Sequence, residues 1–370
     1  MRENFASTLK VYDKTKRIVR PPYFNKIKYI FLDHDKTMTY KKSKEEPLLS
    51  KFLHPWAAKA LENCLEKGFG IAICSTAHIT RLIRQYNSNI TDEEALNCLL
   101  LIGEEGSVFA IPRKGKRYDI YIKEIPADLI FVAKLLETAV DEYRETTSFD
   151  VFVNKDLKNH ITIENFERKK EVRDELYELT LKILKENALL EKFWIKKGTD
   201  SIEINITTFD KGQIAEMFDG ILQKEGVILA IGDSESDVPL FKSCCGIQIP
   251  PKDFTIDEIN PLEGTQFIAI GSEGGGTTAA QLLYHILYHE QVVDIDSTWL
   301  KNTVANELAR RNYNYTGEIN AEDIKTDYTL PIGISEKYKR LWDYYEVKLE
   351  EMYAKHNLLS GIIRHRGENC

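Results

Sequence analysis

The 370-residue chain has no apolar run near the ~20 residues that span a bilayer, so no membrane partner is expected. Its opening stretch, "MRENFASTLKVYDKTKRIVRPP", lacks the apolar core of a secretory signal. It also lacks basic excess. A net charge of -8 argues against a general nucleic-acid binder, and no nucleic-acid partner is expected. The six cysteines (Cys64, Cys74, Cys98, Cys244, Cys245, Cys370) lack metal-ligand spacing, and Cys244 and Cys245 are adjacent. They read as reduced cysteines of a cytoplasmic protein, four or five of them buried. A glycine-rich piece, "GSEGGGTTAAQLL" (271–283), lacks the lysine of a phosphate-binding loop. There Thr277 or Thr278 suffices as a helix N-cap.

What is present is an ordinary globular composition, 43% hydrophobic and 29% charged. The length makes two domains with an appendage the default. Residues 1–25 read as a mobile leader that ends just after Pro21-Pro22. "IKYIFL" (27–32) fits a buried parallel strand, and "HPWAAKALENCLEKG" (54–68) a helix with a glycine stop. "FGIAICS" (69–75) is a second strand, and "NCLLLIGEEG" (97–106) contains a third. Alternating strands and helices predict a doubly wound α/β core.

The pattern then changes. "SVFAIPRKGKRYDIYIKEI" reads as a hairpin split by a basic glycine turn. Helices follow at about 127–145 and 167–187, interleaved with "FDVFVNKDLKNHITIENF" and "KFWIKKGTDSIEINI". This α+β block with antiparallel strands is expected to form an inserted domain, 107–207. The core is then 26–106 plus 208–290, resuming with "DKGQIAEMFDGILQKEGVILAIGDSESDVPLF". Residues 291–370 form an extension, mostly helical across 336–359. It reads as an appendage packed on the core, or as a surface for a homo-oligomer or a protein partner.

Four pieces fall at or just after the ends of predicted core strands, or at the start of a core helix. They are Asp33-x-Asp35-x-Thr37, Ser75-Thr76, Lys211, and "GDSESD" with Asp233 and Asp237. The carboxyl ends of parallel strands form the ligand crevice of an open α/β sheet. Each piece alone is weak, since Asp, Ser and Thr commonly cap turns and helices. Together they crowd carboxylates that repel one another unless a cation relieves them. An oxygen-rich site suits Mg²⁺.

On these residues the chain resembles the haloacid dehalogenase superfamily of phosphotransferases. "DHDKT", "ICST", Lys211 and "IGDSESDVPLF" look like its four motifs, and the 22-position interval from Lys211 to Asp233 suits the third and fourth. The resemblance covers the core, about half the chain. Only 41 residues separate Asp33 from Ser75, whereas Lys211 lies 136 positions beyond Ser75. An insert there resembles the type IIB cap of sucrose-phosphate and trehalose-6-phosphate phosphatases and the Cof-type phosphatases.

The resemblance implies a Mg²⁺-dependent phosphatase of a sugar phosphate or similar small-molecule phosphomonoester. Asp33 would be the nucleophile and Asp35 the acid and base. Ser75 and Lys211 would hold the phosphoryl oxygens, with Thr76 beside them, and Thr37 would order the loop through its hydroxyl. Asp33, the Asp35 carbonyl and Asp233 would hold the metal, with Asp237 close by. Lys155 and Glu203 would hold the substrate from the cap, with Asn159, His160 and Arg168 as further candidates. His34 and His78 are either ordinary loop histidines or polar neighbours of the site. Two positions depart from the pattern. Lys36 stands where the family usually has Gly, and Thr76-Ala77-His78 where sugar phosphatases often have Gly-Arg. A phosphosugar mutase on the same scaffold is the nearest alternative. A regulatory or scaffold protein acting through residues 291–370 is the other, and the intact acidic set argues against it.

Overall fold

A computed structural model describes residues 9–19, 24, 26–40, 52–154, 160–165, 169–198, 201–206, 211–250, 254–271 and 274–324. The strands in chain order begin with β1 (Lys10–Asp13), β2 (Ile18–Val19), β3 (Ile27–Leu32), β4 (Ile71–Cys74) and β5 (Leu99–Gly103). Next come β6 (Val108–Arg113), β7 (Arg117–Lys123), β8 (Val151–Asn154), β9 (His160–Asn165), β10 (Phe193–Lys197) and β11 (Ser201–Ile206). The last are β12 (Val227–Gly232), β13 (Cys245–Gln248), β14 (Thr265–Ile270) and β15 (Tyr313–Asn320).

The larger sheet has eleven strands in the order β15-β7-β6-β5-β4-β3-β12-β13-β14-β1-β2. Its middle, from β5 to β14, is parallel throughout. Every residue of β3 is buried, as a strand covered on both faces requires. Ile30 and Leu32 enter one apolar layer with Leu61 and Ile73, and Tyr29 and Phe31 the other with Phe218 and Leu240. The chain winds from β3 outward through β4 to β5, then returns on the opposite side at β12. The β3–β12 junction is therefore the switch point where loops diverge and leave a crevice. The expected doubly wound α/β core is observed.

A second sheet is antiparallel, in the order β10-β11-β9-β8. Helices Ala127–Thr147 and Lys170–Glu186 share its core, through Val132, Leu136 and Leu176 against Ile161, Ile163, Ile202 and Ile204.

Three expectations change. The hairpin expected to open the inserted block, β6–β7, continues the large sheet through β5. Its inward residues Phe109, Ile111 and Tyr118 complete core layers that β5 alone would leave uncovered. Residues 10–19 are not a loose leader, because β1 pairs with β14 and β2, burying Val11 and Tyr12. Asp13 Oδ1 accepts from the amides of Thr15 and Arg17 to close that turn. The start of the expected extension adds both a helix, Ser297–Arg310, and strand β15 on the sheet edge. The helical reading of 336–359 lies outside the described residues.

Candidate active site

Asp33 follows β3, and its amide donates to the Ile231 carbonyl of β12 (2.9 Å), which brings the two strand ends together. Asp33, Asp233 and Asp237 each place a carboxylate oxygen within 4.8 Å of one another. Lys211 enters beside them, one residue before the helix Gly212–Leu222, with only 1% of its surface exposed. Its Nζ donates to Asp33 Oδ1 (2.8 Å) and Asp237 Oδ1 (2.7 Å). Asp237 Oδ2 accepts from the amides of Asp233 (3.0 Å) and Ser234 (3.1 Å), so both Asp237 oxygens are engaged. Gly232 makes room for this arrangement, since a Cβ there would lie 2.4 Å from the Asp237 carboxyl carbon. Asp33 Oδ2 and the Asp233 carboxylate accept no hydrogen bond from a described residue.

One ammonium among three carboxylates leaves excess negative charge. Burial, then the Asp237 charge, push Asp33 up to about 7 against the opposing pull of Lys211. Burial and the charges of Asp33 and Asp237 raise Asp233 well above the carboxylate range. For Lys211, burial works against the charged form, but Asp237 and Asp33 outweigh it and hold the ammonium high. A hard divalent cation fits this donor set. It would take Asp33 Oδ2 and Asp233, the oxygens that no described residue uses, and would relieve the repulsion.

The remaining candidates divide. Ser75 is fully buried after β4, and its Oγ accepts from the Ala77 amide (3.0 Å). Thr76 beside it is half-buried, and no described residue bonds its hydroxyl. Asp35 is clamped by Arg81, with Nη2 to Oδ1 at 2.6 Å and Nη1 to Oδ2 at 3.3 Å. Arg81 was missed by sequence reasoning. It comes from the helix Ile79–Asn89, where the absent Gly-Arg was the signal to look for an arginine elsewhere. Lys36 takes the left-handed backbone (φ 62°) that Gly would adopt without strain.

Thr37 does not tie the loop as expected: its hydroxyl is buried and unbonded among the described residues. Thr39 Oγ1 does so instead, accepting from the Lys36 amide (2.7 Å), because the loop turns back at that residue. His34 is a core histidine. Its Nδ1 lies 3.1 Å from Tyr86 Oη, and burial pushes it down to about 3. His78 caps the helix Ile79–Asn89 through Nδ1. Neither threonine caps the helix Gly275–His289. Gly274 stands at its N-cap, and Thr278 Oγ1 accepts from the Gly271 amide (3.1 Å). Gly276 lets that helix approach the site loop, because a Cβ there would meet the Met38 carbonyl at 2.9 Å.

On the second sheet Glu203 (β11) is a direct cross-strand neighbour of Lys196 (β10), with 3.7 Å between their charged groups. His160 on β9 is buried and pushed down to about 4, first by burial and then by His78 and Lys196. Lys155, Asn159 and Arg168 lie outside the described residues. Two further residues escaped the sequence reading. Glu104 and Glu105 follow β5, both buried and both left-handed (φ 53° and 56°). Burial pushes Glu105 up to about 7, and Lys211, Glu203, Lys196 and Asp237 all act on it. Their signal was "GEEG", a charged pair between two glycines at a core strand end.

Among the described residues five cysteines are free, Cys64 and Cys74 buried and Cys98, Cys244 and Cys245 half-buried, so fewer of these are buried than expected; Cys370 lies outside the described residues. None of the helices among the described residues is long and apolar enough to cross a membrane.

No protein-family model and no curated protein matches the chain. Solved structures do. The C-terminal domain of C. albicans trehalose-6-phosphate phosphatase is 13% identical, with a TM-score of 0.51 over 77% of this chain and 96% of that one. Aspergillus fumigatus trehalose-6-phosphate phosphatase is also 13% identical, with a TM-score of 0.44 over 77% of this chain and 97% of that one. Plasmodium falciparum IMP-nucleotidase is 12% identical, with a TM-score of 0.45 over 73% of this chain and 64% of that one. At these identities the likeness is one of fold, and it is the fold that the resemblance to the haloacid dehalogenase superfamily implies.

Proposed function

We propose that the chain is a Mg²⁺-dependent phosphatase of a sugar phosphate or similarly polar phosphomonoester, acting in the cytoplasm. One observation carries the reading. Asp33, Asp237 and Lys211, all buried, converge with the half-buried Asp233 at the switch point of a doubly wound sheet. The excess carboxylate charge there favours a divalent cation, which together with Lys211 would offset the charge of a phosphoryl group.

In this reading the Asp33 carboxylate attacks phosphorus, and the phosphorus–oxygen bond to the alcohol breaks as the aspartyl-phosphate forms. Asp35 gives its proton to the departing oxygen, then takes one from the water that cleaves the aspartyl-phosphate. Lys211 and Ser75 hold the equatorial oxygens. Arg81 orients Asp35. Bound Mg²⁺ would be held by Asp33, the Asp35 carbonyl and Asp233, and would screen the phosphate from the nucleophile. Asp237 orients Lys211 and the Asp233 loop. Glu203 and Lys196 offer hydrogen bonds to the alcohol half.

The test is release of inorganic phosphate from a panel of sugar phosphates and p-nitrophenyl phosphate, with Mg²⁺ and after chelation. Activity is expected with the metal and not without it. Asp33→Asn should lower turnover by roughly 10³-fold or more while the fold persists. Near-normal turnover in that variant, or full activity in excess chelator, sinks the reading.

A further inference from the structure

Glu105 carries a carboxylate that nothing described so far uses. It is only 9% exposed, and it accepts no hydrogen bond from a described residue. Its oxygens are not sealed off by the described residues, so they stay open to a ligand's hydroxyl. Its backbone is left-handed at φ 56°, costly for a glutamate and free for glycine. Strain kept at such a residue points to a task. The backbone holds the strain because the Glu105 amide donates to the Ser75 carbonyl (2.9 Å) and the Glu104 amide to the Ala77 carbonyl (3.1 Å). The turn is thus anchored to the loop that would hold the phosphoryl group.

The surrounding charges show where the carboxylate lies. Lys211 and Asp237 act on it from the large sheet, and Lys196 and Glu203 from the second sheet. Neither lysine is dedicated to it. Lys211 donates to Asp33 and Asp237, and Lys196 faces Glu203 at 3.7 Å. Glu105 is therefore anchored beside the phosphoryl loop and within electrostatic reach of the Lys196–Glu203 pair. A leaving alcohol, attached to the phosphorus, would extend from that loop.

We propose that Glu105 selects the leaving group, accepting a hydroxyl hydrogen from a neutral polyhydroxylated alcohol and repelling one that carries negative charge near the ester. This rests on the phosphatase reading and deepens it. A hydroxyl brings the donor that the carboxylate lacks. A second anion would face Glu105, Glu203 and Asp237 with both nearby lysines already engaged.

The test compares glycerol 3-phosphate with 3-phosphoglycerate, which share a three-carbon skeleton and differ by a hydroxymethyl against a carboxylate. For each, kcat/KM is measured with Mg²⁺. Where a compound is not turned over, its inhibition constant against p-nitrophenyl phosphate is taken instead. The wild type should prefer the neutral compound by about tenfold or more, and Glu105→Gln should narrow that ratio by roughly tenfold. Glu105→Asn, whose side chain tolerates a left-handed backbone, is the second variant should the first fail to fold, and should narrow it likewise. A wild type that prefers the anion or recognises neither compound overturns the proposal, as does a ratio in the folded variants within about twofold of wild type. Loss of p-nitrophenyl phosphate hydrolysis by the wild type itself would instead remove the phosphatase reading on which the proposal rests.

Discussion

The two sheets place charge in opposite ways. The parallel sheet gathers Asp33, Lys211, Asp233 and Asp237 from separate segments and buries Lys211 and Asp237 almost completely. The antiparallel sheet sets Lys196 against Glu203 on adjacent strands, with 29% and 25% of their side chains exposed. The first arrangement is costly unless each charge is matched, because low dielectric magnifies both attraction and repulsion. The second is cheap and loosely coupled, because water screens it. Under the proposed function, groups that act on a phosphoryl group would need the former, and groups that sort its alcohol half would work from the latter, where a residue can change without unfolding the chain.

Breaking one lysine in each sheet tests this contrast most strongly. Lys211→Met should lower metal-free stability by about 3–5 kcal/mol in urea unfolding, since it strands Asp33 and Asp237 without their donor. Lys196→Met should change it by no more than about 1 kcal/mol. Equal losses in the two variants would erase the distinction.

Glu105, within electrostatic reach of both regions, should show its burial through pH. Its carboxyl is raised from 4.5 to about 7 in the folded chain. A raised acid favours the folded state while protonated, so that stability is complete below pH 4.5 and is lost as pH rises through about 7. Glu105→Gln should remove this component. Across the window the variant should gain on the wild type by on the order of 1–3 kcal/mol, read from urea midpoints in chelator. A constant gap between the two proteins would mean that Glu105 is not the source.

The smallest effect belongs to the loop after β3. Lys36→Gly relieves a left-handed lysine, and thermal unfolding should show a gain of about 0.5–1 kcal/mol. A loss would show that the Lys36 ammonium, which acts on Asp233, matters more than the strain.

The parallel strands β3, β4, β5 and β12 and both long helices of the inserted block were legible because burial on two faces, or one, writes itself into hydrophobic period. β3 came out at Ile27–Leu32, the run read from the sequence. The hairpin β6–β7 was recognised, but its sheet was not. Alternating residues such as Phe109 and Ile111 show that one face is covered, and not by what. The strand β1 was lost in a charged stretch because only Val11 and Tyr12 face inward.

For the candidate site the division follows from the same physics. Asp33, Asp35, Ser75, Lys211, Asp233 and Asp237 stand at strand ends or helix starts whose positions depend on local pattern, so sequence by itself determined which chemistry could gather there. It could not determine what each side chain would touch. That Arg81 clamps Asp35, that Thr39 rather than Thr37 ties the loop, and that the Glu105 amide is held by the Ser75 carbonyl are pairings across long stretches of chain or across a turn. Only the tertiary structure decided these. Hydrogen bonds and ion pairs depend on distances of a few ångströms between groups that no period in the sequence relates.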